Sequence, residues 1–297
     1  MIKRSADFEL RLQQDEWVYL INKYRHVAFN LKPDRPRLDG FFPKMNLPTF
    51  GFRHLLQLEP FNEIPEQWDS EILSQFDSVI TWNSKFFLEN KHRLNLNLIQ
   101  GCTFFNNFYE ATELVSYDNK INGICCINKL YTKPDNRGGH IVPKRKEVME
   151  NLTIEPMVKH VFAPSPWGGS LYQGPTDVYK PGHQTLLNLI SKYKFRLCFE
   201  SLYHEYWSWD FMTDRMFDCF KAKTVPIYWG CYNIEQHVPK ELFIDYRDFK
   251  DIDELSKYLL SFSREQYIRM TEDAFEWNKT NRIGSVEDLE KILVQLN

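Results

Sequence analysis

Three consecutive residues, Thr213-Asp214-Arg215, stand where an apolar helical pattern begins, and their types suit the capture of an anion. Thr213 falls where a helix N-cap belongs, with Asp214 and Arg215 in the first turn. The unbonded amides of a helix start, and the positive end of its dipole, attract negative charge. An arginine there adds a two-pronged clamp that matches a diphosphate, and Asp214 can accept hydrogen bonds from ribose hydroxyls. The same residues also read as an ordinary helix start, with Asp214 complementing the dipole and Arg215 solvated beside it. A second cationic cluster, Lys144-Arg145-Lys146, is too short for nucleic acid but enough for one phosphorylated ligand.

The elements that would position these groups alternate between strand and helix. Phe195-Arg-Leu-Cys-Phe199 is a strand running into Glu200, Thr213–Ala222 is a helix, and Val225-Pro-Ile-Tyr-Trp229 is another strand. Upstream, Gly123-Ile-Cys-Cys-Ile127 and Val158–Phe162 read as strands, with helices at Lys144–Leu152 and Gln184–Tyr193. Nearer the N-terminus, His54–Leu58 reads as a strand carrying Glu59 at its end, because Pro60 forces its predecessor out of helix. A helix over Pro65–Phe76, a strand at Ser78–Trp82, and a helix Lys85–Asn90 capped by Asn83-Ser84 follow. Trp17–Ile21 reads equally as strand or helix, and Ser263–Asn278 and Ser285–Leu296 read as helices. Two successive βα arrays predict an α/β protein of two Rossmann-like domains facing a cleft; one large α/β domain is the alternative. The expected boundaries are 1–125, 126–280, and a last helix at 281–297 packing back on the N-terminal domain. Ligands of such sheets bind outside the carboxyl ends of the strands, which puts the site in the cleft.

Size and composition agree with that plan and exclude others. The 297 residues suit two domains of roughly 150 each. Lysine and arginine (37) and aspartate and glutamate (40) are well mixed, so no basic stripe for nucleic acid stands out. No apolar run approaches the ~20 residues of a membrane-spanning helix, and the first residues are polar rather than secretory. The cysteines Cys102, Cys125, Cys126, Cys198, Cys219 and Cys231 lack metal-binding spacing and read as buried thiols of a cytoplasmic protein. Aromatic residues make up 15% of the chain; their faces suit sugar stacking, although most belong to the core.

Phe199-Glu200-Ser201, then Phe211-Met212-Thr213-Asp214-Arg215, then Val225-Pro226-Ile227-Tyr228-Trp229-Gly230 form an ordered pattern across one strand–loop–helix–strand segment. It resembles the donor-domain signature of the family 10 glycosyltransferases, the α-1,3/4-fucosyltransferases. There a strand ends Phe-Glu-Asn, an aromatic and Thr-Glu-Lys open a helix, and the next strand closes with Pro and Gly. Gly138-Gly139-His140 followed by Pro143-Lys144-Arg145 is similar to the family's Gly-His…Arg segment. Ser201, Asp214 and Arg215 depart from the pattern, standing for Asn, Glu and Lys. The loop from Glu200 to Thr213 is also longer and carries two extra tryptophans.

The resemblance implies a GT-B type glycosyltransferase that inverts the anomeric centre. It implies GDP-fucose as co-substrate, a glycan acceptor, no bound cofactor and no metal. Arg145, Glu200, Ser201, Phe211, Thr213, Asp214 and Arg215 become the donor-binding set. The family's catalytic base lies at a strand end of the N-terminal domain, the place Glu59 occupies, with Glu63 and Glu66 as neighbouring candidates. Asp251-Ile-Asp253 has the letters of a metal-diphosphate ligand but lies far along the tail, and His140, His160, His183 and His204 share no ligand spacing. The departures leave open another nucleotide sugar, or a binding module without catalysis.

Overall fold

The structure is a computed structural model that describes residues 53–57, 60–61, 65–99, 111–128, 138–163, 170–173 and 184–281, the backbone of 27–29, and isolated positions near the C-terminus. Two parallel sheets organise it. The first runs β1-β2-β3-β4, from Val27–Phe29, Arg53–Leu56, Ser78–Thr81 and Leu96–Leu98. Every pairing in it is parallel, so all carboxyl ends lie on one side. The second has the order β6-β5-β7-β8-β9, from Val158–Phe162, Ile121–Ile127, Tyr193–Phe199, Val225–Trp229 and Ile244–Asp245. It is parallel throughout as well.

Strand β5 belongs wholly to the second sheet, so a boundary at 125/126 would cut it. The sheets separate between Leu98 and Ile121. Residues such as Trp17–Ile21 and Cys102, and most of 281–297, lie outside the described residues.

In the second sheet, alternation sends side chains to two helical layers. Cys125, Ile127, Cys198 and Tyr228 face one way, onto α4 (Gln184–Ser191) and α5 (Asp214–Lys221). Ile124, Cys126, Leu197, Phe199 and Ile227 face the other, onto α3 (Val142–Asn151) and α6 (Ile252–Ser261). The long α7 (Arg264–Thr280), opened by a Ser263/Gln266 capping box, contributes Tyr267 to the second layer and Ala274 to the first. A sheet covered on both faces buries its strands almost end to end, as in β7 and β8. Cys125, Cys126, Cys198, Cys219 and Cys231 are buried and unbridged.

Sequence periodicity misplaces one helix. The stretch Pro65–Phe76 is a 3-10 turn at Pro65–Trp68 followed by the short α1, Ser70–Leu73. Asp69 interrupts it: its backbone is extended and its carboxylate accepts from Glu71 N and Ile72 N, starting a new helix. The helix α2 (Ser84–Asn90) begins as expected, with the Asn83 side chain accepting from Phe86 N at 2.9 Å.

Lys120, at the foot of β5, is only 7% exposed. Its ammonium donates to Ser191 O at the end of α4 and lies 3.4 Å from Ala222 O at the end of α5. Two helix carboxyl ends therefore face one cation, a favourable dipole arrangement. Burial still outweighs it and pulls the lysine down from 10.5 to about 8. Between those values the unfolded chain holds a proton that the folded chain has released, so this residue's contribution rises with pH. Urea denaturation should show the wild type gaining on Lys120→Met from pH 8 upward, by at most about 1.4 kcal/mol per pH unit. A difference independent of pH would mean the ammonium is solvated.

Candidate functional site

The strand order of the second sheet reverses between β5 and β7: the chain leaves β5 for β6 on one side and returns to β7 on the other. At such a switch point the carboxyl ends open a crevice that the connecting loops cannot cover. Asn128 follows β5 at its lip, Glu200 follows β7, and the loop after Glu200 delivers the start of α5 to the same place.

Glu200 is 0% exposed. Thr213 N donates to its Oε1 at 3.0 Å, the Thr213 hydroxyl lies 2.8 and 2.9 Å from its two oxygens, and Arg215 Nη1 pairs with Oε2. Arg215 Nη1 also reaches Thr213 Oγ1 at 2.7 Å, and its Nε donates to Asn128 Oδ1 at 3.0 Å. The arginine side chain keeps 26% exposure, so the guanidinium is fixed yet open to solvent. Behind it, buried Arg196 donates from Nη1 to Arg215 O at 3.1 Å. Burial, and then the adjacent Asp214, push the carboxyl of Asp218 on α5 above the usual range. Asp214 itself is half-exposed on the first turn.

The other expected residues gather around the same strand end. Ile141 N donates to Ser201 O and Tyr203 N to Gly139 O, laying Gly139–Ile141 against Ser201–Tyr203. Gly139 has φ +85, and a Cβ there would meet Tyr203 O at 2.8 Å, so glycine is required twice over. Arg145, on the first turns of α3, is 2% exposed and donates from Nε and Nη2 to Phe199 O. The structure thus places it behind the end of β7, one residue from Glu200. Phe211 is buried with its ring 5.1 Å from Trp82 of the first sheet's side. Glu59 and Glu63 lie outside the described residues, and Glu66 falls in the 3-10 turn at Pro65–Trp68. Asp251 turns out to be the N-cap of α6, accepting from Glu254 N, which accounts for the Asp-x-Asp letters.

The long loop from Leu202 to Met212 joins the two sheets. Asp210, held at φ 62, accepts from Ser84 N at the start of α2 through Oδ2, and from Asn233 Nδ2 through Oδ1, with His237 Nε2 2.6 Å from Oδ1. Burial pushes this carboxyl up, but the hydrogen bonds from His237, Asn233 and Ser84 outweigh it and hold it below the usual range. Lys85 donates to Glu205 O and lies 3.7 Å over the Trp209 ring. Trp207 stacks on Phe61 at 4.2 Å and meets Trp68 edge-on. The extra tryptophans of the sequence are therefore seam residues. Sequence reasoning gave Asn128 and Asp210 no role; a polar residue closing the apolar run Gly123–Ile127 was the signal for the first.

Gly230, closing β8, gives Glu200 its space. A Cβ there would stand 2.2 Å from Glu200 Cγ and 2.5 Å from its Cβ. Gly230→Ala should cost ~1–3 kcal/mol, the range for overpacking, measured as a lowered urea midpoint. An unchanged midpoint would mean that Glu200 can move aside.

Residues 146–295 match the model of glycosyltransferase family 10 (fucosyltransferase), C-terminal part. The chain is 33% identical over 70 residues to the α-(1,3)-fucosyltransferase FucT of Helicobacter pylori, covering 24% of this chain and 14% of that protein. It is 32% identical over 98 residues to mouse 4-galactosyl-N-acetylglucosaminide 3-α-L-fucosyltransferase 9, covering 32% of this chain and 26% of that one. The matches thus span only 14% and 26% of those relatives' length. Among solved structures, an α-glucosyltransferase with UDP-glucose and abasic DNA superimposes with TM-score 0.57 at 12% identity, covering 82% of this chain and 72% of that one. S. aureus TarM superimposes with TM-score 0.54 at 14% identity, covering 83% and 51%. These likenesses establish the fold, the GT-B arrangement of two parallel-sheet domains. With its signature segment folded into one buried bracket and half its length matched by the family model, the chain belongs to glycosyltransferase family 10, the fucosyltransferase family.

Proposed function

We propose that this protein transfers fucose from GDP-fucose to a hydroxyl of a glycan acceptor, with inversion at the anomeric carbon. The observation that carries the reading is Arg215: a guanidinium fixed at the start of α5 and half-open to the crevice at the switch point. A diphosphate placed there meets the helix amides and the arginine together. Family membership supports fucose as the sugar.

In the reaction the acceptor oxygen attacks the anomeric carbon while the bond to the diphosphate breaks, and the electron pair leaves with GDP. The charge that grows on the departing phosphate lies opposite Arg215 and the α5 amino end, where fixed dipoles help most. Asp214, a methylene shorter than the family's glutamate, accepts from the ribose hydroxyls. Arg145 and Glu200 act from below: Arg145 steadies the Phe199 carbonyl, and Glu200 holds Thr213 and Arg215. Ser201 borders the diphosphate, and Phe211 anchors the loop to the other sheet. Glu59 takes the acceptor's proton.

Calorimetry tests the donor half. Arg215→Ala should weaken GDP binding by ~1.5–3 kcal/mol, the range for a hydrogen bond to a charged group, with UDP binding far more weakly than GDP to the wild type. Unchanged GDP affinity in the variant would remove the phosphate assignment. Turnover of GDP-fucose tests the other half: Glu59→Gln should lower the rate ~10²–10⁴-fold while GDP affinity holds. Near-normal turnover there would place the base elsewhere.

A further inference from the structure

We propose that Asn128 is the positioning residue that lets an arginine, rather than the lysine of the family pattern, work at position 215. The proposal rests on reading Arg215 as the phosphate contact. Asn128 is 3% exposed at the end of β5, its backbone N–H donating to Phe162 O at 3.2 Å and its side-chain Nδ2 to Leu197 O at 3.5 Å. Arg215 Nε can only donate, so the atom it faces at 3.0 Å is the amide oxygen of Asn128. On the opposite edge, Nη1 is held by Glu200 and by Thr213 Oγ1. A planar guanidinium gripped on both edges has one orientation, and the ordering cost is met before any ligand arrives.

A lysine ammonium is a single point of charge on a flexible stem. It can reach Glu200 and Thr213 but has no second edge for Asn128 to hold. The chemistry of the two grips also differs. Glu200 already offsets part of the arginine's charge; a second carboxylate at 128 would leave little attraction for a diphosphate. A neutral oxygen acceptor supplies the geometry without that loss. Asn128 and Arg215 are 87 residues apart in sequence and meet only because β5 and β7 are neighbours at the switch point.

Two measurements test the proposal. The first is GDP affinity by calorimetry in the wild type, Asn128→Ala, Arg215→Lys and the double variant, with urea midpoints alongside. Asn128→Ala should weaken GDP about tenfold beside Arg215 and less than about twofold beside lysine. Equal losses in both backgrounds, or no loss beside Arg215, would overturn it. The second reads the grip without a nucleotide. Arginine Nε–H resonances of the free protein should include a slowly exchanging Arg215 signal that Asn128→Ala abolishes and Asn128→Asp, which keeps the acceptor oxygen, retains. Persistence of that signal in Asn128→Ala overturns the grip even if Arg215 binds phosphate. Loss of the signal with GDP affinity unchanged in Arg215→Ala overturns the phosphate reading and leaves the grip standing.

Discussion

A carboxylate with no exposure to water is tolerated only where hydrogen bonds and opposite charge replace its hydration, and Glu200 is such a group. The effective desolvation cost for a buried ion runs to several kcal/mol, so each of its partners becomes a structural requirement. Thr213 must present both its amide and its hydroxyl, which fixes where α5 starts. Arg215 must turn one edge back toward β7, and β8 must be followed by a residue without a side chain. The signature segment is thus held together by one buried charge. Its residues are spaced as they are because a strand end, a helix start and a neighbouring strand end converge on it.

That convergence explains what the sequence could reveal. Residues joined by local geometry were legible: Thr213 is the expected cap, Asp214 and Arg215 lie in the expected turn, and Val158–Phe162 and Val225–Trp229 begin and end where apolar runs do. Three signals were weaker than the structures they encode. Strands β1, β4 and β9 are three, three and two residues long, too short for a periodicity. Helix α6 went unread, and Asp251, the first of the Asp-x-Asp letters, is its cap. The break at Asp69 belongs to a side chain competing for backbone amides, which an apolar pattern does not record. The roles of Asn128 and Asp210 were hidden for another reason: their partners come from other parts of the chain, and the polar end of the Gly123–Ile127 run marks a place without naming a partner.

Arg145 stiffens a strand end, a task that its place in the donor-binding set did not include. The segment that leads into it, Gly139–Ile141, lies against Ser201–Tyr203. Its Nε and Nη2 are turned to a backbone carbonyl, 2% exposed, so its described bonds stiffen the strand end that bears Glu200. Charge supplied from beneath a site acts on whatever sits above it, and a buried arginine is screened less than an exposed one.

The loop from Leu202 to Met212 is fastened along its whole length. Its shoulders, Ser201 and Thr213, belong to the crevice, and its middle is bound to α2 through Tyr206, Asp210 and Glu205. Surface loops usually accept insertions and exchanges because nothing depends on their path. This one is a poor place to cut when building hybrids between family members. A transplanted loop would arrive without Asn83, Ser84, Lys85 and the aromatic seat at Trp68 and Trp82, and a transplanted second sheet would leave them behind. Loop and seat form one heritable unit that spans both halves, so a crossover between Leu98 and Ile121 separates them unless Trp68, Trp82 and α2 come from the same parent as the loop.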